Sequence, residues 1–154
     1  MRLLVDTSLL GRLANTDDLS HALATAAVIE LRRRQETLLT AAQNLIEFRN
    51  FATRPRSANG LELAVFEAIS KADEFEALFP VVPDTPDIYP AWKSLADASA
   101  AIGKQVHDVR LVAICQVHNI DGILTFNARH FLRLVTFAPG LSVITPSHVI
   151  NPNP

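Results

Sequence analysis

Three carboxylates stand where this chain could use them for chemistry: Asp6, Glu47 and Asp108. Each adjoins an apolar segment that would hold it near a protein core. Asp6 ends the run Leu3, Leu4, Val5 and is followed by two hydroxyls, Thr7 and Ser8. When residues 41–52 are wound as a helix, Glu47 falls at the margin of an apolar arc made by Ala41, Leu45, Phe48, Phe51 and Ala52, with Asn44 one turn earlier on the same side. Asp108 precedes Val109, Leu111, Val112, Ala113, Ile114, Cys115 and Val117, which are apolar around nearly the whole circumference, as in a helix buried between other elements. Carboxylates gathered in one place resist desolvation unless a cation joins them. Oxygen donors without a thiolate suit a hard divalent ion such as Mg²⁺ or Mn²⁺. Taken singly, each acid has a plainer reading: Asp6 and Asp108 as helix N-caps, Glu47 as a solvated helix residue.

The elements that must position these acids follow from periodicity. Residues 2–5 are too short an apolar run for a helix and predict a buried strand, with a helix starting near Ser8. A helix is expected over 18–35, ending in Arg32, Arg33 and Arg34, whose charges complement its negative end. A strand at 37–40, a helix at 41–52 and a break at 53–60 containing Pro55 and Gly60 come next. Helices are then expected at 61–79, closed by Pro80, at 87–103, stopped by Gly103, and at 107–119, with a short one in "NARHFLRL". Strands at 81–84, 122–126 and 141–145 complete the pattern. Such alternation predicts an α/β fold with a parallel sheet covered on both faces. In that architecture ligands bind outside the carboxyl ends of the strands, where strand order reverses. Asp6 lies at such an end.

Composition narrows the class. The 154 residues, 49% of them hydrophobic, fit one domain, expected over residues 1–148, with 149–154 as a flexible tail. With 14 Lys and Arg against 16 Asp and Glu, the formal charge of −2 gives no global attraction to nucleic acid, so phosphate contacts must come from a local cluster. Arg49, Arg54 and Arg56 follow Glu47 closely enough to form such a rim. The lone Cys115 excludes an internal disulfide and reads as inert packing in a reducing, cytoplasmic compartment. His21, His107, His118, His130 and His148 show no zinc-ligand spacing. Trp92 and the eight Phe are expected in the core. Asp6 interrupts the N-terminal apolar run before a signal sequence can form, and no apolar stretch is long enough to span a membrane. Neither GxGxxG nor a P-loop occurs, and no DxDxT follows the first strand.

The pieces "LLVDTSLL", "NLIEFRN", "HDVRLVAICQVHN" and "GILTFNARHF", in this order over nearly the full length, resemble the PIN-domain family and, within it, the VapC-type toxins of bacterial toxin–antitoxin pairs. The resemblance implies a PIN-like three-layer α/β/α fold with a parallel five-stranded sheet of strand order 3-2-1-4-5. It also implies an endoribonuclease that hydrolyses RNA phosphodiester bonds with Mg²⁺ or Mn²⁺. Asp6, Glu47 and Asp108 match the family's first three acids and are the expected metal ligands; Ser8 matches a hydroxyl that supports the site. The fourth acidic place is taken here by Asn127, and His130 stands where an acid is frequent. Expected partners are an RNA substrate, a cognate antitoxin and a second copy of the chain, with the helices at 18–35 and 61–79 as candidate surfaces. The competing expectation is a non-catalytic PIN-like module that binds RNA or protein, motivated by the depleted acidic set.

Overall fold

Five parallel strands carry the fold in a computed structural model that describes residues 1–152. In chain order the elements are β1 (Arg2–Val5), α1 (Thr7–Ala14), α2 (His21–Arg33), β2 (Thr37–Ala41), α3 (Ala42–Thr53), α4 (Val65–Leu78), β3 (Val81–Val82), α5 (Ile88–Ser99), α6 (Gln105–Val117), β4 (Gly122–Leu124), α7 (Ala128–Leu132), β5 (Ser142–Ile144) and α8 (Pro146–Ile150). The sheet order is β3-β2-β1-β4-β5, as expected. Successive strand residues point to opposite faces. Leu3, Val5, Leu38 and Leu124 accordingly join one core with α1, α2, α3, α4 and α8. Leu4, Leu39 and Ile123 join the other with α5, α6 and α7. Two cores on either side of one sheet make the three layers.

The buried helix reads true, with Val109 and every residue from Leu111 to Cys115 out of water in α6. Burial pushes the Cys115 thiol up, so it stays protonated and packs as a small apolar group. Phe48 meets Phe75 edge-on at 5.0 Å in the α3–α4 core. Two aromatics depart from expectation: Phe66 is 74% exposed and Phe137 37%. Trp92 is half-buried and donates from Nε1 to the Val106 carbonyl.

Helix ends differ from the sequence reading for identifiable reasons. Residues 61–64 are not helical: Glu62 holds φ +56°, the Leu61 and Leu63 N–H groups bond Phe51 and Ala52 carbonyls, and α4 starts only where Glu67 reaches back to the Ala64 N–H. α5 stops early because Ala100, not Gly103, adopts the left-handed C-cap conformation. α6 begins at Gln105, two residues before the expected start, so Asp108 lies inside the first turn and Lys104 holds the cap position. At the C-terminus, Val149 and Ile150 belong to α8. Val149 is buried against α2 and its carbonyl accepts from Arg34 Nη2, so the expected tail does not start at 149. Asn153 and Pro154 lie outside the described residues.

Candidate functional site

β1 is the central strand, and the chain leaves it toward β2 on one side before returning to β4 on the other. The strand order therefore reverses between β1 and β4. The Val5–Leu124 pairing places Asp6, just after β1, beside Thr125, just after β4. Asp6 is 6% exposed and caps α1, accepting from the Ser8 N–H at 3.3 Å. Its Oδ2 also accepts from Ser8 Oγ at 2.6 Å and Thr125 Oγ1 at 2.7 Å. Both hydroxyl protons are thus committed to one carboxylate oxygen, and Ser8 Oγ in turn accepts from the Phe126 N–H. The Ser8 N–H bond that caps the helix thus also helps to fix the carboxylate.

Glu47 is held by neutral donors as well. Thr7 Oγ1 donates to its Oε2 at 2.8 Å and Gln43 Nε2 to its Oε1 at 2.8 Å. Thr7 also accepts from Asn44 Nδ2, and Gln43 donates to the His107 carbonyl, so α3 is tied to α1 and α6 through the residues that hold Glu47.

Asp108 is different. Among the described residues no donor hydrogen-bonds its carboxylate; His130 Nδ1 stands 3.7 Å away. Burial pushes the Asp108 carboxyl up from 3.8 to about 6, the charges of Asp6 and Glu47 adding to the rise and those of His130 and His107 opposing it. Asp6, Glu47 and Asp108 all face one common space.

That space is a pocket of about 380 Å³ lined by Asp6, Ser8, Glu47, Asp108, Asn127 and His130, together with Thr7, Gly11, Arg12, Phe51, Arg54, Asn59, Lys104 and Phe131. A second depression of about 650 Å³ adjoins it, sharing Glu47, Lys104, Asp108 and His130. Every sequence-expected site residue thus meets in one groove. Asn127 contributes an exposed side chain at the start of α7, its N–H bonded to Thr125 Oγ1. Of the expected basic rim only Arg54 lines the pocket; Arg49 lies over a separate hollow with Asp73 and Glu76.

Sequence reasoning missed Thr125, Gln43 and Arg12, while it places Asn44 on the same side of its helix as Glu47. Thr125 carried a signal only once strand register was known. Arg12 had one earlier, four residues after Ser8 on the same helix face. Chemically, the pocket offers oxygen donors, no thiolate and a desolvated carboxylate lacking a partner. That donor set suits a hard divalent cation. Among the described residues, no three His, Cys, Asp or Glu side chains are drawn together tightly enough to hold one ion as they stand. Asp108, which no hydrogen bond holds, is the carboxylate able to turn.

Similar folds are known. VapBC2 of Rickettsia felis, solved bound to a DNA fragment from its promoter, superposes with TM-score 0.67 at 16% identity over 94% of this chain and 98% of that one. VapBC-1 of nontypeable Haemophilus influenzae gives 0.67 at 15% identity, covering 96% and 99%. Mycobacterium tuberculosis VapC20, a Sarcin-Ricin loop cleaving toxin, gives 0.61 at 18% identity, covering 90% and 95%. No curated protein matches the sequence. The PIN domain family model matches residues 3–136, and the chain belongs to the PIN domain family.

Proposed function

We propose that this protein is a metal-dependent endoribonuclease that hydrolyses RNA phosphodiester bonds, the toxin of a type II toxin–antitoxin pair. One observation carries the reading: Asp6, Glu47 and Asp108, from three separate elements, line one pocket at the strand-order reversal, and the least supported of them is pushed up to about 6. Asp6 and Asp108 would hold Mg²⁺ or Mn²⁺, with Glu47 as third ligand. When bound, the ion offsets negative charge at the phosphate and makes water a better nucleophile. Ser8 and Thr125 hold the Asp6 carboxylate in one orientation, and Thr7 and Gln43 do the same for Glu47. Asn127 presents a neutral amide at the pocket wall, able to orient water without adding charge.

The toxin assignment draws on the VapBC and VapC structures that share the fold. An antitoxin is the proposed protein partner, and a second copy of the chain the proposed oligomeric one. Ile46, Val65, Phe66 and Ile69 leave an apolar surface on α3 and α4 exposed. The helices of the described residues include none long and apolar enough to cross a membrane. The test is cleavage of a mixed RNA population with Mn²⁺, against an EDTA control and Asp6→Asn. Metal-dependent cleavage lost in the variant supports the proposal; no cleavage by the unmodified protein contradicts it. Asn127 in place of an acid favours the second reading, a binding module without catalysis, which that negative result would select.

A further inference from the structure

The acidic pocket contains cations that do not neutralise it. Arg12, Arg54 and Lys104 line it with the three acids, yet among the described residues neither Arg54 nor Lys104 pairs with any carboxylate, and the only acid near Arg12 is Asp18, at 3.9 Å. Flexible cations beside desolvated carboxylates ordinarily collapse onto them. These two arginines are restrained from doing so. The Arg12 guanidinium lies over the Phe126 ring at 5.4 Å and that of Arg54 over Phe51 at 5.9 Å. Arg54 Nη2 further donates to the Asn59 carbonyl at 3.0 Å.

The loop that carries Asn59 is shaped around Arg54. Asn59 holds φ +60°, and a Cβ on Gly60 would stand 2.0 Å from the Arg54 carbonyl oxygen, so only glycine closes the turn there. Both arginines also bury an Nε–H that finds no acceptor. A buried donor without a partner is costly, which marks both side chains as held for something other than their own stability, and guanidinium groups lining a pocket bind phosphate oxygens in pairs.

We infer that Arg12 and Arg54 form a phosphate subsite that grips the backbone of a single-stranded polynucleotide beside the carboxylate pocket. The inference rests on the proposed nuclease function and adds to it the means of substrate capture. Stacking fixes the guanidinium planes before binding, so little side-chain entropy is lost when the strand arrives.

The experiment measures binding of a short labelled single-stranded RNA by fluorescence anisotropy in EDTA, across a series of KCl concentrations. The proteins are the unmodified chain, Arg12→Gln, Arg54→Gln, the corresponding Lys variants, and Arg49→Gln as a control for net charge away from the pocket. Each Gln variant is expected to bind about tenfold more weakly, with the slope of log Kd against log salt reduced by about 0.7. Lys should restore the slope but not the whole affinity, because the bidentate fork is lost. Arg49→Gln should leave both unchanged. If the unmodified protein binds and the pocket variants match it in slope and affinity, the subsite is wrong, whatever the protein cleaves. Normal losses in the variants, with no Mn²⁺-dependent cleavage by the unmodified chain, support the subsite and remove the nuclease reading. Absence of binding by the unmodified chain in EDTA overturns the subsite, and Mn²⁺-dependent cleavage alone then decides the nuclease reading.

Discussion

Replacing Asp108 by Asn should make the metal-free protein more stable at neutral pH. In the folded state burial and the neighbouring Asp6 and Glu47 charges hold the Asp108 carboxyl at about 6, against 3.8 in the unfolded chain. The sign follows directly. Well below pH 4 the group is protonated in both states and costs nothing. Between pH 4 and 6 the unfolded chain has lost this proton while the folded carboxyl still holds one, so folding must take up a proton at a cost that grows with pH. Above pH 6 the penalty is complete. A rise of this size corresponds to about 3 kcal/mol if unscreened. Because the side chain keeps 25% of its surface in water, we expect about half of that, roughly 1–2 kcal/mol. Asn is nearly the same shape and carries no charge, so the variant should regain that energy, worth a Tm increase of about 2–6 °C at pH 7.5 in EDTA. Urea titrations of both proteins at pH 4 and pH 7.5 measure it. A variant less stable than the parent at pH 7.5, or a difference that does not grow with pH, would refute the reasoning. Saturating Mn²⁺ should reverse the order, stabilising the parent by about 2.7 kcal/mol at a hundred times its Kd and the variant far less.

The other predictions concern the same groups. Asp6→Asn should keep the fold, because Asn caps a helix as well as Asp, while cleavage falls about a thousandfold or more in a gel assay of RNA with Mn²⁺. Thr125→Val strips one of the donors from buried Asp6, and should cost about 1–3 kcal/mol by urea titration and about 10- to 100-fold in Mn²⁺ affinity. Because Asn127 adds no charge to the three acids, calorimetry without RNA should find one tight Mn²⁺ and one weak one; two equally tight sites contradict this. Phe66→Asp, at an exposed apolar position on α4, should convert the proposed homodimer to a monomer in sedimentation at unchanged stability.

Much of the fold was legible because strand and helix alternate with unmistakable periods. Leu3, Leu4 and Val5 had to be buried on both faces, and residues 109–115 had to form an enclosed helix. The helix ends were less legible, since Glu62 and Ala100 take left-handed conformations that composition assigns to glycine. Val149 was read as tail because the Asn and Pro after it hide that a single apolar residue docks on α2. The three acids could be picked out one by one, but each was also a reasonable cap or surface residue; only the sheet register brings Asp6 beside Thr125 and shows what fixes it. Arg12 was missed although its spacing from Ser8 puts it on the same helix face, because only the fold brings Phe126 under its guanidinium.

The central claim is that Asp6, Glu47 and Asp108 share one divalent ion. Crystals grown with Mn²⁺ and measured at an energy where manganese scatters anomalously test it most directly. The account predicts a strong anomalous peak bounded by oxygens of all three side chains, with Asp108 turned toward it and the hydrogen bonds to Asp6 from Ser8 and Thr125 intact. Crystals saturated with Mn²⁺ that show no peak in this pocket, or a peak touching none of these carboxylates, would contradict it.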